Sequence, residues 1–102
     1  MRESAGEPWL GKYRIYETET FQEDVAKIER SGLRRLTEKL ERHVYPRLRD
    51  EPHAGPGIKR LQDWKPPTWR YRVGAWRFFY EINETERIVS MTAGEHRSQA
   101  YD

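Results

Sequence analysis

The run Trp69-Arg70-Tyr71-Arg72-Val73-Gly74-Ala75-Trp76-Arg77-Phe78-Phe79-Tyr80-Glu81-Ile82 decides the fold of this chain. Its first part, residues 68–73, alternates bulky apolar and cationic side chains with the two-residue period of a half-buried strand. Gly74-Ala75 interrupts the alternation where a tight hairpin turn needs a permissive backbone, and residues 76–82 read as the returning strand. Residues 83–86 turn the chain once more into a strand over 87–93. These three segments form an antiparallel meander.

Working back from the meander, Lys65-Pro66-Pro67 breaks a shorter strand candidate at 58–61. The Pro and Gly content of residues 50–57 predicts a loop. Before it, Leu33, Leu36, Leu40, Val44 and Leu48 lay one apolar stripe along a helix whose other faces carry Arg34, Arg35, Glu38, Lys39, Glu41 and Arg42. Pro46 should kink or end that helix near residue 45, although the Leu48 spacing argues for one more turn. Phe21, Val25 and Ile28 predict an earlier helix over 21–30, opened by a capping box at Thr20 and Glu23 and closed at Ser31-Gly32. Residues 13–17 are a first strand. The expected fold class is therefore α+β, in the order β-α-α-β-β-β: an N-terminal strand and a helical hairpin packed on an antiparallel sheet. Residues 1–12 read as a flexible tail and 13–102 as the domain.

At 102 residues, with 35% hydrophobic and 35% charged, the chain can hold one domain of the usual size of roughly 100–150 residues. Four Trp, six Tyr and three Phe must supply core volume that aliphatic residues would otherwise provide. The absence of cysteine excludes disulfides and thiolate metal sites, and three scattered histidines make a weak metal site, so no metal or other cofactor is expected. The opening MRESAGEPWLGK lacks the apolar run of a signal peptide, and no stretch approaches the ~20 apolar residues of a membrane span. A soluble, cytoplasmic protein with no membrane partner is the expectation.

Net charge is only +2, but between residues 58 and 77 Lys59, Arg60, Lys65, Arg70, Arg72 and Arg77 face Asp63 alone, a local excess of five positive charges. Cations interleaved with Trp and Tyr suit a polyanion that carries stackable bases, which is nucleic acid. The competing reading is an edge strand whose Lys and Arg discourage aggregation.

The segments Gly57-Ile58-Lys59-Arg60-Leu61, residues 69–82, and Gly94-Glu95-His96-Arg97 with Tyr101 together resemble the RelE/ParE toxin superfamily of bacterial type II toxin–antitoxin systems. The resemblance spans roughly residues 13–101 and includes element order as well as motif. It implies a toxin that acts either as an endoribonuclease on messenger RNA at the ribosome or as a DNA gyrase inhibitor that only binds. In the nuclease members the ribose 2′-hydroxyl attacks its own neighbouring phosphate, without metal. That step needs a proton acceptor, a proton donor and positive charge around the phosphorane. The resemblance assigns Arg77 to the scissile phosphate and Arg70 and Arg72 to the basic pair on the preceding strand. Lys59, Arg60 and Lys65 complete the expected RNA-binding set.

His96 is the candidate general acid–base, because imidazole exchanges protons near neutrality. Arg97 stands beside it as a charge donor, and Tyr101 is placed to stack on a base or donate to phosphate. His43 and His53 read as surface residues away from this cluster. Glu95 departs from the pattern, which has Gly-His directly, so it displaces His96, reverses its facing, or orients it. A degenerate RNA-binding relative is the third reading. The implied protein partner is an antitoxin, acidic where it covers the cations and partly disordered until bound. Trp64 and Trp69 are either its docking sites or core.

Overall fold

The computed structural model describes residues 12–99. Among them, β1 (Arg14–Glu17) leads into α1 (Glu19–Arg30), then α2 (Arg34–Lys39), a π-helical segment (Leu40–Val44) and α3 (Tyr45–Asp50). Strands β2 (Ile58–Arg60), β3 (Trp69–Val73), β4 (Trp76–Asn83) and β5 (Ile88–His96) follow. The sheet order is β1-β5-β4-β3-β2. The meander is as the alternation predicts, and 58–60 adds a further antiparallel strand to it. One expectation is corrected: β1 runs parallel to β5, so the sheet is mixed. Residues 1–11 of the expected tail and Tyr101 lie outside the described residues. No helix among those described is long and apolar enough to cross a membrane.

The start of α1 differs from the capping box at Thr20. Thr18 is the cap, accepting from Phe21 N at 3.2 Å while its hydroxyl donates to Met91 O at 2.9 Å. The helix begins earlier because this one side chain serves both its N-terminus and the neighbouring strand. Its end is a Schellman motif: Gly32, at φ +84°, donates to Glu29 O, and Leu33 N reaches Ile28 O. Leu33 thus leaves the apolar stripe and is exposed.

Pro46 neither kinks the second helix sharply nor ends it. Proline lacks the N–H for the usual bond four residues back, and its ring crowds the carbonyl there. The chain answers with a wider turn just before it, in which Tyr45 N bonds to Leu40 O, five residues back. The helix then continues to Asp50, and Leu40, Val44, Tyr45 and Leu48 are all buried.

These residues and Phe21 and Ile28 pack on the sheet face formed by Tyr71, Val73, Phe78, Tyr80, Val89 and Met91. Phe21 meets Phe78 edge-on at 6.1 Å, and the buried Tyr80 hydroxyl donates to Pro52 O at 2.7 Å. Helix α1 comes closest at Gly94, where an added Cβ would stand 3.1 Å from the Phe78 ring and 3.8 Å from Ile28. Gly94→Ala is therefore expected to destabilise the fold by about 1–3 kcal/mol, read as a lower urea midpoint at unchanged slope.

The opposite end of the sheet is clasped by His53. Its Nδ1 contacts Glu51 at 2.9 Å and its Nε2 contacts Glu84, which also accepts from the Tyr13 hydroxyl at 2.8 Å. An imidazole donating from both nitrogens to carboxylates is the charged form. The Glu84 bond, aided by Glu51, raises the His53 pKa against a smaller opposing effect of burial. His53 in turn lowers Glu84, with help from Tyr13, and lowers Glu51 through its backbone N–H and then its ring.

A raised imidazole pKa gives stability that is present below the unfolded value of about 6.5 and lost as pH rises through the folded value. The lowered carboxylate pKa values give stability that is present above their unfolded value of about 4.3 and lost as pH falls through the folded one. His53→Ala should accordingly lower the melting temperature most between about pH 4.5 and 6.5 and converge with wild type as pH rises through the raised folded value. A difference that grew with pH above 7 would contradict the clasp.

Candidate nucleic-acid interface

Register fixes which side chains share a face. Trp69, Tyr71 and Val73 pair with Tyr80, Phe78 and Trp76 on the helix side, so Arg70 and Arg72 project from the open side, opposite Phe79 and Arg77. Lys59 pairs with Arg70 and joins them, whereas Arg60 pairs with Trp69 and sets its guanidinium over that ring at 5.5 Å, on the helix side. Lys65 lies in the exposed loop between β2 and β3. Trp69 is part of the packing, stacked on Tyr80 at 6.4 Å, while Trp64 is 40% exposed.

The hairpin turn gathers the cations. Gly74, at φ +57°, takes the first central position of the turn. Arg77 Nη1 folds back to donate to the Gly74 and Trp76 carbonyls at 3.3 and 3.4 Å. Arg97 N donates to Ala75 O at 2.7 Å, which brings the C-terminal arginine to the same turn. Strand β2 pairs only with Trp69–Tyr71, so the hairpin end projects past it beside the second helix.

The result is a cleft of about 770 Å³ lined by Arg72 and Arg77 of the hairpin, Arg97 after β5, and Lys39, His43 and Arg47 of the second helix. No Asp or Glu lines it. Six basic side chains without a carboxylate are complementary to closely spaced phosphates.

Sequence reading left Lys39 and His43 on the surface and did not single out Arg47. Their spacing of four places them on one helix face, a signal present in the sequence, but nothing there says that this face turns toward the hairpin.

His96 goes elsewhere. Thr92 is an extra residue in β5, since Phe79 pairs with Ala93 but Tyr80 pairs with Met91. This bulge reverses the alternation, so Gly94 and His96 face the helices opposite Phe78 and Trp76, and Glu95 faces Arg77. His96 meets Trp76 edge-on at 5.4 Å, and its Nδ1 accepts from Ser98 N at 3.2 Å. It lines a second cleft of about 470 Å³ with Asp24, Lys27, Ser31 and Gln99. Of the four expected catalytic residues, Arg77 and Arg97 come together, His96 lies in the neighbouring cleft, and Tyr101 is outside the described residues. Among the described residues no three of His, Asp and Glu converge as a metal site requires.

Comparison with known proteins adds to this geometry. A family model described as the ParE toxin of the type II toxin–antitoxin system parDE matches residues 13–101. No curated protein sequence matches. Among solved structures, the toxin–antitoxin complex RelBE2 from Mycobacterium tuberculosis contains a chain 23% identical at a TM-score of 0.64, over 88% of this chain and 97% of that one. The archaeal RelE–RelB complex from Pyrococcus horikoshii OT3 contains one 19% identical at 0.53, over 87% and 99%. At these identities the two structures speak for the fold.

Proposed function

The chain belongs to the ParE toxin family of the RelE/ParE superfamily, and from that premise we propose that this type II toxin is an endoribonuclease whose scissile phosphate binds in the acid-free cleft. One observation carries the reading: six basic residues, one of them a histidine, line one cleft with no Asp or Glu among its lining residues. A phosphorane more negative than its ground state is stabilised by positive charge concentrated in this way.

In this reading the substrate's 2′-oxygen bonds to the adjacent phosphorus, the P–O5′ bond breaks, and the products are a 2′,3′-cyclic phosphate and a 5′-hydroxyl. Arg77, with Arg72 and Arg97, holds the non-bridging oxygens. The proton passes from the 2′-hydroxyl to the leaving 5′-oxygen through a side chain acting as general base and then general acid, and His43 is the imidazole in that cleft. Lys59, Arg70 and Lys65 carry the strand onward over the open face. Messenger RNA on the ribosome is the substrate class the family resemblance implies. The partner is an antitoxin with an acidic segment over the cleft, in keeping with the antitoxin complexes of the two solved relatives.

The test is induced expression in a bacterium with messenger 5′ ends mapped by primer extension. New ends inside translated regions, lost in Arg77→Ala, are expected. Growth arrest with intact messages would overturn the nuclease reading and favour DNA gyrase or another target.

A further inference from the structure

The loop between β2 and β3 carries a second feature of the open face. Phe79, on β4, has its side chain on the open side of the sheet and yet is only 4% exposed. Trp64 covers it: the two rings stack at 5.7 Å between centroids and 14° between planes. The loop that delivers Trp64 is held at both ends. Leu61 N donates to Thr68 O at 2.9 Å, the Thr68 hydroxyl donates to Pro66 O at 3.0 Å, and both Leu61 and Thr68 are buried. One face of the indole is thus occupied by Phe79, while the residue as a whole remains 40% exposed.

A flat ring held on a pinned loop with part of its surface open offers a π-face to a planar partner. Its surroundings say which kind. Phe79 is the cross-strand neighbour of Arg70, which neighbours Lys59; Lys65 follows Trp64 in the chain, and Arg72 stands two residues along β3. The acids of the same region are Asp63, beside Trp64, Glu81, on β4, and Glu95, opposite Arg77 on β5. A planar group accompanied by negative charge fits a π-platform among cations, and a nucleotide is such a group. Phe79 lies two residues from Arg77 on the same strand, about 7 Å away, so one short single strand can engage both cleft and ring.

We infer that Trp64 is a base-stacking platform that holds an unpaired purine of single-stranded RNA next to the phosphate cleft. This rests on the nuclease reading and adds a subsite to it. Stacking recognises a π-face in any base, so the platform sets how tightly a flanking nucleotide is held more than which base it is.

The experiment uses the full chain and a short single-stranded oligonucleotide made non-cleavable by 2′-O-methylation, with one 2-aminopurine in place of a purine. Wild type and Trp64→Phe are expected to bind it and quench the 2-aminopurine. Trp64→Leu keeps an apolar cover over Phe79 but offers no π-face. It should lose the quench and bind roughly 5- to 100-fold more weakly with the same salt dependence, since no phosphate contact is removed. Arg77→Ala should weaken binding yet retain the quench in the bound fraction. If Trp64→Leu quenches and binds like wild type while Arg77→Ala weakens binding, the platform is overturned and the nuclease reading stands. If wild type fails to bind the oligonucleotide, both are overturned, and the exposed ring belongs to a protein contact.

Discussion

Arg77→Ala is expected to lower RNA cleavage by about 10²- to 10³-fold, the scale of losing one preorganised donor to a developing anion. The guanidinium is positioned by its strand: Arg77 pairs with Arg72 on one side and Glu95 on the other, and its Nη1 is steadied by the Gly74 and Trp76 carbonyls. The loss should appear in single-turnover cleavage as a lower rate at saturating RNA, because the phosphorane gains more from the cation than the ground state does. Arg77→Lys restores charge without the two-pronged donor geometry and should recover only part of the rate. The side chain contributes little to the core, so unfolding should shift by no more than about 0.5–1 kcal/mol. A variant that unfolds at growth temperature, or one that cleaves at the wild-type rate, would refute the assignment.

The second large effect separates two imidazoles. His43→Ala should lower cleavage by about 10²-fold or more, as expected when a general acid–base is removed. His96→Ala should change the rate by no more than about threefold, the size of an indirect effect on the C-terminal turn that carries Arg97. The distinction follows from position alone, since His43 lines the cleft with Arg77 and Arg97 while His96 packs on Trp76 across the sheet. The opposite pattern, with cleavage lost in His96→Ala and retained in His43→Ala, would move proton transfer to the second cleft and require the chain after β5 to rearrange when RNA binds.

Much of this molecule was legible in its sequence, for reasons that particular residues make plain. The alternation in 69–73 and the Gly74-Ala75 turn specify a hairpin with Arg70 and Arg72 on one face, because side-chain direction along a strand is a local property. Gly32 as a helix stop is equally local, since its left-handed backbone favours glycine. Pro46 was harder. Its effect depends on whether the buried Leu48 can stabilise a wider turn, and that is a question of packing beyond the helix itself.

The sequence by itself determined the α+β class, the hairpin, the family and the presence of a basic, aromatic-rich face, since each rests on residues near one another in the chain. Tertiary structure alone decided the composition of the site. The bulge at Thr92 turned His96 away from Arg77, the path of the second helix brought Lys39, His43 and Arg47 across from the hairpin, and the β2–β3 loop laid Trp64 on Phe79. Strand alternation carries over from one residue to the next only until an extra residue intervenes. Whether one does is a matter of how β5 pairs with β4, a contact between separate strands that no local pattern specifies.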